Sequence, residues 1–168
     1  MQPSLALAYS SSTRTGWVGV GWSLEIGEIE RSTKDGVPTY GSGDTFMLQM
    51  GGVHHELVAV GAEYRTKNEG LFLKILNNGA GGWEVRDKSG TKYLFGDTAE
   101  SRQTTAGGVL RWGLRQVEDP NGNRLTVTYA PLDQGQLYPS RVDYTSHSSG
   151  APSPLHSVEF VTETGRRD

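Results

Sequence analysis

Two short segments constrain the fold of this 168-residue chain more than any other feature. Residues 17–24 read Trp-Val-Gly-Val-Gly-Trp-Ser-Leu, with glycines alternating between large apolar residues. This spacing suits a strand packed closely on another backbone, because glycine removes the side chain that would keep them apart. Residues 118–123 read Glu-Asp-Pro-Asn-Gly-Asn, a tight-turn composition between two runs of alternating apolar and polar residues. Together they predict a chain that repeatedly extends, turns and returns.

The composition supports the same class of fold and excludes several functions. The chain has 23 glycines, about twice the usual share of roughly 7%, and no three-residue period. A net charge of −3 and the lack of a basic stripe argue against a nucleic-acid partner. No cysteine is present, which excludes disulfides and cysteine zinc sites. No apolar run reaches the roughly 20 residues of a membrane span, and no signal peptide is recognisable.

Alternating apolar residues predict about 10 to 12 antiparallel strands and almost no helix. The clearest hairpin joins Trp83 and Val85 to Tyr93 and Phe95 across a turn at residues 87–90. A second hairpin crosses the turn at residues 119–123, where Asp119 should cap its own backbone and Asn-Gly should take positive φ. The apolar run at residues 71–76 is expected to be a strand, and residues 5–9 and 158–161 are expected to be sheet edges that promote self-association. The aromatic residues expected between strands are Trp22, Trp83, Trp112 and Tyr129.

The chain opens with two spaced motifs, Pro-Ser-Leu-Ala-Leu-Ala-Tyr-Ser-Ser at residues 3–11 and Gly-Val-Gly-Trp-Ser-Leu at residues 19–24. These motifs resemble the opening of the SpvB-type N-terminal domain of bacterial insecticidal toxin-complex B components and plasmid virulence proteins. Later motifs follow in the family's order, and the resemblance covers nearly the whole chain: residues 40–48, 83–85, 90–96, 112–114 and 117–123, then Tyr129, Tyr138 and residues 144–145. Residues 119–123 with Leu125 and Tyr129 also resemble the unit of Rhs and YD-repeat proteins.

The resemblance implies an all-β fold, an antiparallel meander or spiralling sheet that is a segment of a hollow Rhs/YD-type β-shell with very little helix. It implies a non-enzymatic structural module of a toxin-complex or virulence protein, which contributes to a shell that encapsulates and helps deliver a toxic C-terminal segment. The implied partners are the remaining shell segments of the same polypeptide and the pore and cargo components of a toxin complex. The implied location is outside the bacterium, after assembly in the cytoplasm. Residues 1–168 are expected to form a single SpvB-type β domain, a fragment truncated at both ends. The alternative is a carbohydrate- or partner-binding β-sandwich surface domain.

Candidate sites in the sequence each have a simpler structural interpretation. Residues 11–13 with Glu28 and Glu30 resemble elements of ADP-ribosyltransferases, but the spacing leaves no room for that enzyme's sheet, and the glutamates should face solvent around a buried Ile29. His54 and His55 are adjacent on a strand and so should point to opposite faces, which argues against shared metal binding. The other two histidines, His147 and His156, are expected in a Ser/Pro-rich loop.

Glycine-rich and acidic segments also lack the features of ligand loops. Residues 119–123 are too short for an EF-hand calcium loop and lack its closing glutamate. Residues 19–21 and 79–82 open no helix and carry no Lys-Ser/Thr pair, so they are not phosphate loops. The sequence therefore predicts no catalytic, cofactor-binding or metal-binding residue and no cofactor.

Overall fold

A computed structural model of the chain describes residues 1–11, 17–34, 36–68, 70–130 and 136–162. The described part contains fourteen β-strands and one three-residue 3-10 turn. The strands are β1 Leu7–Tyr9, β2 Trp22–Leu24, β3 Glu28–Arg31, β4 Phe46–Met50, β5 Val53–Val60, β6 Glu63–Thr66, β7 Lys74–Asn77, β8 Trp83–Arg86, β9 Lys92–Phe95, β10 Arg102–Thr105, β11 Gly108–Glu118, β12 Asn123–Ala130, β13 Tyr138–His147 and β14 His156–Glu159, and the 3-10 turn is Gly79–Gly81. The predicted all-β, antiparallel, helix-poor fold is confirmed.

Eight strands close into a barrel-like ring. Strands β3 to β9 pair in sequence order, and the 11-residue strand β11 pairs with both β9 and β3. The pairing between β6 and β7 is the shortest among the described residues of the ring, with one register pair, Tyr64 to Ile75. Closure removes the free edges that an open sheet of these strands would leave.

The barrel interior is filled by aromatic and aliphatic side chains. Trp83 is 1% exposed and lies at its centre, with ring centroids 4.8 Å from Phe46, 5.0 Å from Tyr64 and 5.8 Å from Trp112. These are edge-on contacts, the favoured geometry for aromatic pairs. At one side of this cluster, the Arg31 guanidinium lies over Phe46 and Trp112 and forms a 2.7 Å ion pair with Asp44. The predicted burial of Trp83, Trp112 and Tyr129 is confirmed.

The sheet forks along β11. The first half of β11 pairs with β3, Arg111 to Glu30 and Gly113 to Glu28, whereas the second half pairs on that side with β12, Val117 to Leu125. Strands β12, β13 and β14 therefore leave the barrel as a branch. The fork lies at Gly27, whose φ is +117° and whose carbonyl accepts the Leu114 N–H at 2.9 Å. A 2.8 Å hydrogen bond from Tyr129 Oη to the Leu114 carbonyl joins the branch to the barrel.

Three predictions about individual strands are wrong. Trp22 is 43% exposed instead of buried, because β1 and β2 pair only with each other in a separate two-stranded sheet. The predicted strand at residues 71–76 begins instead at Lys74, after Phe72 adopts a φ of +51° that a strand cannot contain. The strand count exceeds the predicted 10 to 12, because short strands such as β6 and β10 carry too few residues to show a periodic pattern.

Candidate functional site

A cleft of about 280 Å³ lies at the fork between the barrel and the branch. One wall is formed by the segment that runs from Trp17 through β2 to Glu28, and the other by residues 136–139 at the start of β13. Gly113 and Tyr129 line the cleft between these walls. Gly113 is required there, because a Cβ on this residue would lie 2.5 Å from Tyr129 Oη. We call this space the fork cleft.

The fork cleft contains an incompletely paired acidic cluster. Arg111 Nε lies 3.0 Å from Glu30 Oε2, without the alignment of a hydrogen bond, and Arg111 Nη1 lies 3.9 Å from Glu28 Oε1. Burial raises the pKa of the Glu28 carboxyl above its usual value, and the neighbouring Glu30 raises it further, while Arg111 and His54 act in the opposite direction. Desolvation therefore outweighs the attraction of the nearby cations for Glu28.

Glu28 and Glu30 lie on the face of β3 that was predicted, but they are less exposed to solvent than predicted. Ile29 is fully buried on the barrel side, and the two glutamates lie on the opposite face. They are half-buried rather than solvated, because the fork brings Arg111 beside them. No local pattern in the sequence indicates this cluster, since Arg111 is about 80 residues away from the two glutamates. Of the serine and threonine element that suggested a transferase, Ser12 and Thr13 lie outside the described residues.

The histidines are dispersed over the molecule. His54 and His55 do point to opposite faces of β5: His54 pairs with Gln49 on the outer side, and His55 pairs with the fully buried Leu48. His147 is the last residue of strand β13, and His156 lies in strand β14, where its ring centroid is 5.5 Å from that of Tyr144, so the loop position predicted for both is wrong. Within the described ranges, no three His, Asp or Glu side chains converge on a common metal position.

Residues 119–123 form a turn whose carboxylate is fully used by the chain itself. Asp119 Oδ1 accepts the backbone N–H groups of Asn121 and Asn123, both at 2.9 Å, and Oδ2 accepts the Asn123 side-chain amide at 2.7 Å. Gly122 has a φ of +83°, as predicted, but Asn121 does not have positive φ. The turn is therefore an Asp-capped type I turn followed by a left-handed glycine rather than a two-residue primed turn.

The same turn occurs at residues 87–91. Asp87 Oδ1 accepts the N–H groups of Ser89 at 2.8 Å and Thr91 at 3.0 Å, and Gly90 has a φ of +87°. A third version begins at His147, whose Nδ1 accepts the Ser149 N–H at 3.1 Å while its Nε2 donates to the Asn121 carbonyl at 2.8 Å. In chain order the turn at residues 119–123 is the second and the turn that begins at His147 is the third. These two are also joined by a hydrogen bond from the Ser148 N–H to the Gly122 carbonyl at 2.8 Å. The turn at residues 87–91 also adjoins the turn at residues 119–123, since a Cβ on Gly90 would lie 3.2 Å from Pro120. The three turns therefore lie side by side at one end of their strands.

The other glycine-rich segments serve the backbone. Gly19 and Gly21 have positive φ, so the strand predicted over residues 17–24 begins only at Trp22. A Cβ on Gly21 would clash with the Tyr9 ring, which confirms the predicted close approach at this glycine. Gly79 to Gly81 form the 3-10 turn before β8, and a Cβ on Gly82 would overlap the backbone of Phe95 and Gly96. No helix within the described ranges has the length and hydropathy that crossing a membrane requires.

Comparisons with known proteins connect this architecture to one family. A sequence model of the SpvB family, described as the Salmonella virulence plasmid 65kDa B protein, matches residues 1–71. The solved N-terminal domain of effector protein SpvB from Salmonella typhimurium strain LT2 superposes with a TM-score of 0.72 at 26% identity, over 91% of this chain and 60% of that one. The resemblance to SpvB-type N-terminal domains is confirmed.

Longer proteins also contain regions similar to this chain. The mono(ADP-ribosyl)transferase SpvB of Salmonella choleraesuis is 28% identical over 76% of this chain, which spans 27% of the relative's length. The crystal structure of TcdB2-TccC3-Cdc42 matches with a TM-score of 0.75 at 22% identity, over 90% of this chain and 9% of that one. The Photorhabdus luminescens Tc holotoxin pore structure matches with a TM-score of 0.70 at 20% identity, over 84% and 8%. The toxin-complex matches establish a shared fold.

Proposed function

We propose that this chain is a non-enzymatic structural module of a bacterial toxin-complex or virulence protein. It forms one segment of a β-shell that encloses a toxic C-terminal segment and helps to deliver it. Its partners are the remaining shell segments of the same polypeptide, together with pore and cargo components, and it acts outside the bacterium that makes it. The observation that carries the proposal is the TM-score of 0.75 to the TcdB2-TccC3-Cdc42 structure over 90% of this chain.

The internal organisation of the domain supports a structural role. Of the four aromatic residues predicted between strands, Trp83, Trp112 and Tyr129 are at most 7% exposed and only Trp22 is exposed, so most of this aromatic surface is packed inside the domain. The branch of β12 to β14 extends the sheet beyond the closed barrel. A barrel with an attached branch provides a rigid body and a direction in which a larger sheet can continue.

An exchange of domains tests the shell function directly. The matching region of TcdB2 is replaced by this chain, and the chimera is co-expressed with TccC3. We expect the chimera to co-purify with TccC3 and to keep the hypervariable C-terminal region of TccC3 resistant to an added protease. A matched chimera carrying Gly82→Val should fail, because the substituted side chain would overlap the Phe95 and Gly96 backbone. A folded chimera that leaves the C-terminal region open to proteolysis would contradict the proposal.

The non-enzymatic part of the proposal has its own test. The chain is incubated with labelled NAD and a eukaryotic lysate. We expect no transfer of ADP-ribose above background, because Glu28 and Glu30 both lie beside Arg111, at 3.9 and 3.0 Å, and only Glu28 lines the fork cleft. Transfer that is lost in a Glu30→Ala variant would contradict it.

A further inference from the structure

At the fork cleft, acidic side chains outnumber cationic ones. Glu25 and Glu28 both line it, Glu30 lies beside Glu28 on β3, and Arg111 is the only cationic side chain among the lining residues that the structure describes. Arg111 lies closer to Glu30, at 3.0 Å, than to Glu28, at 3.9 Å. Among the described residues, the Glu28 carboxylate has only this more distant ion pair with Arg111. A desolvated carboxylate with this surplus of like charge is stabilised by a second cation.

The cleft also offers aromatic surface beside these carboxylates. Trp17 and Trp22 both line it, and Trp22 is the most exposed of the four tryptophans that the structure describes. Each is held by another ring: Tyr9 lies 5.3 Å from Trp22, and Phe160 lies 5.5 Å from Trp17. Trp faces attract cations, and a guanidinium can stack on a ring while its edge donates to a carboxylate.

The size of the cleft limits what it can hold. Its volume of about 280 Å³ is at the lower end of ligand sites, which run from roughly 300 to 1,000 Å³. One side chain or one small ring fits this space, but an extended ligand does not. Gln49 and Gln136 also line the cleft.

We propose that the fork cleft binds the guanidinium group of an arginine side chain presented by a partner polypeptide. The group stacks on Trp22 and donates hydrogen bonds to Glu28, whose charge it neutralises. This inference is independent of the shell function, because a fork cleft with this charge would bind arginine whether or not the domain belongs to a shell.

The test follows the indole N–H signals of tryptophan-labelled protein by NMR while Nα-acetyl-arginine amide is added. Trp17→Phe and Trp22→Phe variants assign the signals. We expect saturable shifts of the Trp17 and Trp22 signals and unchanged signals from the buried Trp83 and Trp112, which serve as internal controls. The citrulline analogue has the same shape without the charge, and we expect no shift with it.

Variants of two carboxylates complete the experiment. Glu28→Gln keeps the shape of the side chain, and we expect it to weaken arginine binding at least about tenfold, the cost of losing a charge-assisted hydrogen bond. Glu84→Gln is the matched control, because Glu84 is half-buried on β8 and pairs with Arg86 away from the cleft. Equal shifts with arginine and citrulline, or unchanged binding by Glu28→Gln, would overturn the proposal. Shifts with methyl glucoside but not with arginine would assign the cleft to a saccharide and overturn it as well.

Discussion

Glycine placement at close contacts sets which substitutions the molecule tolerates. Gly122 in the second turn has a φ of +83°, and a Cβ there would lie 2.5 Å from Ser148 Oγ and 2.7 Å from His147 Nε2. Gly150 in the third turn has nearly the same φ of +84°, but the space that a Cβ would occupy there is open to 4 Å. Comparing substitutions at Gly122 and Gly150 therefore separates the cost of backbone strain from the cost of steric overlap with the neighbouring turn.

We expect Gly122→Val to lower the free energy of unfolding by about 1–3 kcal/mol, because a β-branched residue at positive φ is strained and the neighbouring turn is displaced. Gly150→Val should cost less, since only the strain applies. Urea denaturation of both variants measures the difference. Equal costs at the two positions would show that the stacking of the turns adds nothing to stability.

The tryptophans provide a second comparison at single residues. Trp83→Ala should destabilise by about 3–5 kcal/mol, because it removes a ring in contact with Phe46, Tyr64 and Trp112 at the centre of the barrel. Trp22→Ala should change stability by less than about 1 kcal/mol, since the side chain is 43% exposed. Thermal or chemical unfolding of the two variants checks this, and a larger cost at Trp22 would show that the β1–β2 sheet supports the barrel.

Charged residues in the turns determine how the elements respond to acid. Hydrogen bonds from Asn123, its backbone N–H and that of Asn121 lower the pKa of Asp119 below its usual value, against a smaller effect of desolvation. A carboxyl whose pKa is lower in the folded than in the unfolded chain stabilises the fold above its unfolded pKa. That contribution is lost as the pH falls through the folded pKa. We expect the thermal unfolding midpoint to decrease below about pH 4, and to decrease less steeply in Asp119→Asn. Identical acid profiles would show that the turn carboxylate contributes nothing.

Glu28 should show the opposite dependence. Its pKa is raised, so the folded state binds its proton more tightly, and its contribution to stability declines as the pH rises above the usual carboxylate value. Glu28→Gln removes the cost of a desolvated charge. We therefore expect this variant to be more stable than the parent at pH 7 and equally stable in acid, as measured by urea denaturation at both pH values. A loss of stability at pH 7 would show that the interaction with Arg111 outweighs desolvation.

The hairpins could be predicted from sequence because their determinants are local. Asp, Gly and the flanking alternation lie within about ten residues, and the hairpin that joins Trp83 and Val85 to Tyr93 and Phe95 followed from them. The positive φ of Phe72 and the separate pairing of β1 with β2 depend on distant neighbours, so no local pattern indicated them. The fork cleft could not be predicted from the sequence either, because its lining residues come from separate parts of the chain: Trp22, Glu28, Arg111 and Leu137.

At the scale of the whole molecule, the barrel and the branch differ in how they are held. The eight barrel strands each pair on both sides, whereas β14 pairs only with β13 among the described residues. The hydrogen bond from Tyr129 to Leu114 is a direct link between the branch and the barrel strand β11. Regions with fewer buried contacts and unpaired edges open at lower free energy.

We expect hydrogen exchange to be slowest in β3, β4, β9 and β11 and fastest in β14. Tyr129→Phe removes the link to Leu114 and should accelerate exchange in β12 and β13 while β4 to β8 keep their protection. Mass-spectrometric hydrogen exchange on the parent and the variant measures both effects. Uniform protection across all strands would show that barrel and branch unfold as one unit.

The three stacked turns have a consequence for how such proteins can lengthen over evolution. Each turn satisfies its hydrogen bonds within five residues, and its contact with the neighbouring turn uses backbone carbonyls such as those of Asn121 and Gly122. A duplicated hairpin would therefore carry the hydrogen bonds that close its own turn. Its contact with the neighbouring turn would be to a backbone carbonyl, which every residue has. The histidine that stands in place of Asp at the third turn shows that even the capping residue can vary while the geometry persists. We therefore expect an added hairpin at this end of the strands to require few changes in the turns already present.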